Sequence, residues 1–339
     1  MAEKHLNGKI EFVTASAGTG KTYRLVKTVH DAVVDGSARP EGIIATTFTA
    51  AAAGELRERL ALRFHEGARH REALRLREGY IGTVHSICLD LLSRFAFEAG
   101  LPPEMRVLEE KEATHLLTGA MDQAIDEETT LRLMALSDRL GQRDDRTGRY
   151  YYEKTIRAIV GEARSNDIAL DSLPAMGAAS WEEMQALLPP PATEDLDGQL
   201  LEAITTGLQL MPKQPPTKTS QDYRDFLGKM QRQLSGGLLW TDWLKLSKDE
   251  PAKAEIPCTD DVRLVASRLE EHPKFHADLK DYLGQLFGIA SQVGDRYRAL
   301  KRERGVVDFQ DLEKATLDLL RNSVESREIL SEEIDLLVS

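Results

Sequence analysis

Cysteine is nearly absent from this sequence: Cys88 and Cys258 are the only two in 339 residues. That excludes a disulfide framework and a cysteine-built metal site, and it fits a reducing compartment. No apolar run reaches about 18 residues, so a membrane-spanning helix is excluded as well. The opening stretch, Met1 to Lys9, is polar and does not read as a secretory leader. The chain also lacks an excess of positive charge. Its 44 Lys and Arg stand against 56 Asp and Glu, a net charge of −12. Such a chain does not coat nucleic acid through bulk charge, although a local patch can still bind it. No internal repeat is apparent. What is there, 41% hydrophobic and 29% charged residues, is ordinary globular composition, and the length allows about two domains.

The stretch with the most specific chemistry is Ile10 to Thr22, I-E-F-V-T-A-S-A-G-T-G-K-T. Ile10 to Val13 is short enough for a buried strand. A turn of small residues follows, and Lys21-Thr22 opens a helical pattern with Val26, Val29 and Val33 on one face. Strand, loop and helix in this order form the setting of a phosphate-binding loop. Ala15, Ser16, Ala17, Gly18, Thr19 and Gly20 let the backbone wrap so that its N–H groups converge on an anion. The helix N-terminus adds partial positive charge. Lys21 can reach the terminal phosphates of ATP, and the Thr22 hydroxyl can hold Mg²⁺, which makes these two the candidate catalytic residues and Thr22 the candidate metal ligand. The general pattern begins with Gly, and Ala15 stands in that position, tolerable where φ is negative.

Ile43 to Thr47 predicts a second strand and Ala50 to Phe64 a helix, with Ala52, Leu56, Leu60 and Phe64 on one face. Arg57 and Arg59 read as surface ion pairs with neighbouring acids, worth little. Tyr80 to Val84 predicts a short strand or turn, and Val84 to Phe97 a helix stopped by Gly100-Leu101-Pro102-Pro103. Alternating strand and helix over the first hundred residues argues for a parallel α/β sheet. After Pro103 the pattern becomes helical, over Glu109 to Ile125, Leu131 to Leu140 and Tyr150 to Ala163. Loop signals fill Pro174 to Gly198, Met211 to Gln221 and Glu250 to Asp261. Asp261 to Leu269 and His276 to Arg304 are predicted helices, as is the segment after Asp308 to about Leu320. Ile334 to Ser339 reads as a buried strand. Basic clusters at Lys213–Lys218 and Arg296–Arg304 are solvated faces or DNA-backbone contacts.

Four segments, in order, resemble the N-terminal part of superfamily 1 DNA helicases of the UvrD/Rep type, most similar to RecB and AddA helicase–nuclease subunits. Ala15 to Thr22 is similar to motif I. Thr46 to Leu60 is similar to motif Ia, and Gly82 to Leu92 to motif Ic. Tyr297 to Leu312, ending D-F-Q-D-L, is similar to the segment before motif II. The resemblance implies a RecA-like P-loop NTPase parallel sheet, domain 1A, over residues 1–100 and 301–339. Residues 101–300 would be a mostly helical insertion, domain 1B. It implies ATP and Mg²⁺ as cofactors and 3′–5′ translocation on single-stranded DNA, with unwinding at duplex junctions, in recombination and repair. It further implies a cytoplasmic location, no membrane partner, and other subunits of a helicase–nuclease complex as partners. By resemblance, Thr47, Phe48 and Thr49 line the DNA track, and Thr83 and His85 touch DNA or couple it to the nucleotide. Hydroxyls suit phosphate oxygens, and rings suit bases. From the residues alone, Phe48 fits the core as well, and His85 fits an ordinary helix start.

The sequence departs from that family in places. Hydrolysis needs a D-E-x-x-D motif after a buried strand. Leu336 to Ser339 is the strand expected to lead into it, so a chain cut short before motif II and inactive alone is the expectation. Val306 to Asp311 does not qualify, because only two apolar residues precede Asp308 and a charged run, Lys301 to Arg304, stands before them. No glutamine that could select adenine occurs in the first thirteen residues. A non-catalytic P-loop module for DNA binding or assembly, a small phosphotransferase and a truncated gene product stay open as alternatives.

Overall fold

The computed structural model describes residues 20–102, 104–213, 217–248 and 256–339. The predicted strand at Ile10 to Val13 and most of the phosphate loop lie outside the described residues. In chain order the elements begin α1 (Lys21–Val34), β1 (Ile43–Thr47), α2 (Ala50–Glu66), α3 (His70–Arg75), β2 (Tyr80–Thr83), α4 (Val84–Arg94) and β3 (Arg106–Val107). Helices follow: α5 (Glu110–Ala124), α6 (Glu127–Arg139), α7 (Tyr152–Ser165), α8 (Leu173–Leu187), α9 (Leu196–Leu210), α10 (Lys218–Gln233), α11 (Trp240–Lys248), α12 (Ile256–Ser267) and α13 (Pro273–Arg304). The chain ends β4 (Val306–Val307), α14 (Phe309–Asn322), α15 (Val324–Glu333) and β5 (Leu336–Val338). Two compact units result. One holds the described residues up to Glu109 together with Gly305–Ser339, and the other is Glu110–Arg304. No helix among the described residues is long and apolar enough to cross a membrane.

The first unit is layered. Its sheet runs β2-β1-β5, all parallel, and β3 and β4 form a second parallel pair. Side chains alternate along β1. Ile43 and Ala45 join Val26, Val29 and Val33 of α1 and Leu56, Leu60 and Phe64 of α2 on one face. Ile44 turns to the other face, where Ile87, Leu91 and Leu92 of α4 meet Leu312 and Leu319 of α14. Parallel strands between helices on both faces are the expected burial for short apolar runs. β5 is a strand as predicted but not a buried one: Leu337 is 64% exposed. Among the described residues β5 pairs with β1 alone, and its alternate residues Leu336 and Val338 pack against the core.

Arg39 fixes that edge. Its backbone N–H and its guanidinium both donate to Asp335, and the guanidinium also reaches the carbonyls of Glu332 and Glu333. Gly42 lies beneath this clasp, where a Cβ would sit 2.7 Å from the Glu333 carbonyl oxygen. Asp308 and Asp311 form a reciprocal capping box at the start of α14, with both hydrogen bonds at 3.0 Å. In the D-F-Q-D segment these carboxylates therefore serve to begin a helix.

The regular elements of the second unit are all helices among its described residues, with one isolated antiparallel bridge between Arg143 and Tyr150. Three loop expectations are corrected here, among them Met211 to Gln221, where α10 begins at Lys218. Within Pro174 to Gly198, α8 and the start of α9 replace much of the loop, because Pro174 sits in the first helical turn, where its absent N–H costs nothing. Within Glu250 to Asp261, α12 begins at Ile256. Trp240, Trp243, Leu227 and Val262 share one core. Asp278 is buried and doubly partnered, by Trp240 Nε1 at 2.7 Å and by Arg139 at 2.7 Å. His272 is buried too, with its ring 4.9 Å from Trp240 and 5.1 Å from Trp243.

Burial holds the His272 imidazole below its ordinary value, despite the opposing pull of Asp197. The unfolded chain takes up this proton near pH 6.5, whereas the folded chain resists it. The contribution is therefore fully present above that value and is lost as pH falls below it. The tryptophans, Trp181, Trp240 and Trp243, all belong to this unit, so their emission reports on it alone. The unfolding midpoint read by tryptophan emission should fall as pH is lowered from about 7.5 to 5.5. A flat profile would contradict the assignment.

Candidate nucleotide and nucleic-acid edge

Of the phosphate-loop candidates, Ala15, Ser16, Ala17, Gly18 and Thr19 lie outside the described residues. Gly20 caps the N-terminus of α1 with φ +82°, in the left-handed region that favours glycine, and nothing stands within 4 Å of where a Cβ would be. Lys21 begins the helix, and Thr22 is half-buried one residue on. Gly20 provides no side-chain cap, and the first turn of α1 carries no acidic residue. The positive end of this helix is thus not neutralised by its own first turn, and the residue types present, glycine, lysine and threonine, fit a Mg²⁺-bound polyphosphate. Val26, Val29 and Val33 anchor α1 in the core shared with β1 and α2.

The other candidates cluster through strand register. Thr47 at the end of β1 pairs with Thr83 at the end of β2. Phe48, Thr49 and His85 therefore follow immediately beyond two adjacent strand ends. In parallel α/β sheets that carboxyl edge is where ligands bind. The Thr49 hydroxyl accepts the Ala52 N–H at 3.1 Å and so caps α2. The Thr83 hydroxyl accepts the Ser86 N–H at 3.2 Å and caps α4. The Thr47 hydroxyl donates to the Thr49 carbonyl at 3.1 Å. Phe48 is fully exposed, which rules out the core reading for it. His85 stacks on Phe309 with centroids 4.4 Å apart and planes 23° apart. Its Nε2 lies 3.0 Å from Glu313 Oε1.

Two features escaped sequence reasoning. Arg57 is not a surface ion pair. Its guanidinium donates twice to the backbone carbonyl of Ile81, with one distance at 2.8 Å, and so satisfies a carbonyl on β2, an outer strand of the described sheet. Burial raises the carboxyl of Asp90 above its ordinary value, and Arg57 opposes that rise. Arg59 does pair with Glu55 one turn away, as expected. The other missed feature is the platform for His85. Phe309 and Glu313 stand four residues apart on α14, and that spacing beside an N-cap aspartate is the available signal.

A sequence model of the UvrD/REP helicase N-terminal domain matches residues 2–338. The chain belongs to this family. Membership in the UvrD/REP family implies a RecA-like fold and the use of ATP with Mg²⁺. Curated relatives are named as the A-subunit of an ATP-dependent helicase/nuclease. That of Pelotomaculum thermopropionicum is 28% identical over 359 residues, covering 91% of this chain and 28% of its own length. That of Geobacillus thermodenitrificans is 26% identical, covering 93% and 29%. That of Bacillus mycoides is 23% identical, covering 95% and 30%. The chain thus spans under a third of the length of these UvrD/REP relatives.

Proposed function

We propose that this chain is the ATP-binding portion of an ATP-dependent 3′–5′ DNA helicase or translocase of the helicase/nuclease type. It would act in the cytoplasm on single-stranded DNA and duplex junctions, in recombination and repair, beside other subunits. In this reading the layered unit is the RecA-like domain 1A and the helical unit is the 1B insertion. The observation that carries it is the Thr47–Thr83 register, which supports one shared edge for Thr47, Phe48, Thr49, Thr83 and His85. When bound, Mg²⁺–ATP supplies the phosphoryl-transfer chemistry. The chain's part is to hold it: the backbone of residues 15–20 around the phosphates, the Lys21 ammonium on the terminal phosphates, and the Thr22 hydroxyl toward Mg²⁺.

Phe48 supplies a stacking face for a base. Phe48→Ala should weaken binding of oligo-dT by about 1–3 kcal/mol, or roughly 5- to 150-fold, with the melting midpoint unchanged because the ring is fully exposed. An anisotropy titration measures this. Equal affinities would remove the DNA role from Phe48 and favour an assembly module. No D-E-x-x-D sequence occurs in these 339 residues, so nucleotide binding without turnover is proposed for them. DNA-stimulated hydrolysis above that of the Lys21→Ala protein would refute this.

A further inference from the structure

We infer that His65 and His70 form a two-histidine site for a divalent transition-metal ion, Cu²⁺ in preference to Zn²⁺. Their Nδ1 atoms face each other at 2.7 Å, with ring centroids 5.0 Å apart. Both residues are exposed. One Nδ1–H donates to the lone pair of the other, so two imidazole nitrogens face each other, and neither is held by a carboxylate or a carbonyl in this contact.

The turn that brings them together is built. Phe64, fully buried, anchors the end of α2. The carbonyls of Arg63, Phe64 and His65 accept the N–H groups of Gly67, Arg69 and Ala68 in turn. Ala68 takes φ +56°, a left-handed conformation that a residue with a Cβ rarely adopts. Arg69 is tied to Glu72 at 3.1 Å, which braces the start of α3 beside His70. His65 lies in the last turn of α2, where the helix dipole favours positive charge.

Metal binding needs no net proton release from the neutral pair. The shared proton and its counterpart both reside on Nε2, and both Nδ1 lone pairs turn to the ion. The ligand type selects among ions, since for imidazole nitrogens the general affinity order places Cu²⁺ highest. With metal–nitrogen bonds of about 2.0–2.1 Å, nitrogens at a right angle lie about 2.9 Å apart, and at a tetrahedral angle about 3.3 Å apart. Both exposed rings turn from their head-on contact, 2.7 Å between nitrogens, to open either spacing. Among the described residues no group of three or more His, Cys, Asp or Glu gathers for a metal. The site therefore supplies two ligands, and water fills the other positions. It lies at the opposite end of α2 from Thr49, about 24 Å along the helix, and stands independently of the DNA reading.

The test titrates the 339-residue chain with CuCl₂ alone and reads the bound ion by electron paramagnetic resonance. The wild-type chain should show a site with two imidazole nitrogens. His65→Ala and His70→Ala should each lose one nitrogen from the spectrum and weaken binding about tenfold or more. His115→Ala, a histidine elsewhere in the chain, should leave the site unchanged. Zn²⁺ should compete poorly. Far-UV circular dichroism checks that the exposed substitutions leave the fold intact. Single variants with wild-type spectra and affinity would overturn the inference, as would a zinc affinity exceeding that for copper.

Discussion

Lys21→Ala should weaken binding of Mg²⁺–ATP by the chain about 10- to 150-fold, without lowering its melting midpoint. A hydrogen bond between an ammonium and a phosphate oxygen contributes about 1.5–3 kcal/mol, which sets that range. The fold should not respond, because alanine is at least as good a helix former as lysine and Lys21 is the first residue of α1. Gly20 and the helix N-terminus remain in the variant, so residual binding is expected. Fluorescent-nucleotide titration with excess Mg²⁺ gives the ratio. An unchanged affinity would reject Lys21 as a phosphate ligand and leave the loop as a structural turn.

Trp243→Ala should cost the helical unit about 3–5 kcal/mol. Trp243 is wholly buried, among the largest such side chains, and it packs with Trp240, Leu246 and His272. Removing the indole leaves a cavity that the surrounding helices can only partly fill. Leu187→Ala is the matching control: Leu187 is 86% exposed, and such a change should stay within about 0.5 kcal/mol. Urea unfolding followed by emission from the remaining tryptophans measures both. A loss below about 1 kcal/mol for Trp243→Ala would mean that the core of this unit is far looser than its burial states.

Periodicity carried the local reading. The spacing of Leu56, Leu60 and Phe64 marks the buried face of α2, and threonines stand where α2 and α4 begin. Such signals lie within one or two helical turns, so a sequence displays them. Pro174 misled because proline marks both a loop and a first helical turn, and only the following residues' packing decides between them. Phe48 was ambiguous for a similar reason. An apolar residue after a strand points inward or outward according to the cap that follows, and here Thr49 turns the chain into α2. Distant pairings were not legible at all. Nothing around Arg57 announces the Ile81 carbonyl, and nothing around Arg39 announces Asp335. The phosphate loop was the reverse case: the most readable chemistry in the chain falls mainly on residues 15–19, outside those described.

The clasp between Arg39 and Asp335 joins residues 296 positions apart. At about 5–20 residues per second, a ribosome needs roughly 15–60 s to make the intervening chain. Throughout that interval β1 waits without β5, offering unpaired backbone groups to any passing strand. The helical unit is contiguous in sequence and can finish its own folding within the same interval. Nascent polypeptide halted before Leu336 should therefore be the species most dependent on holding chaperones.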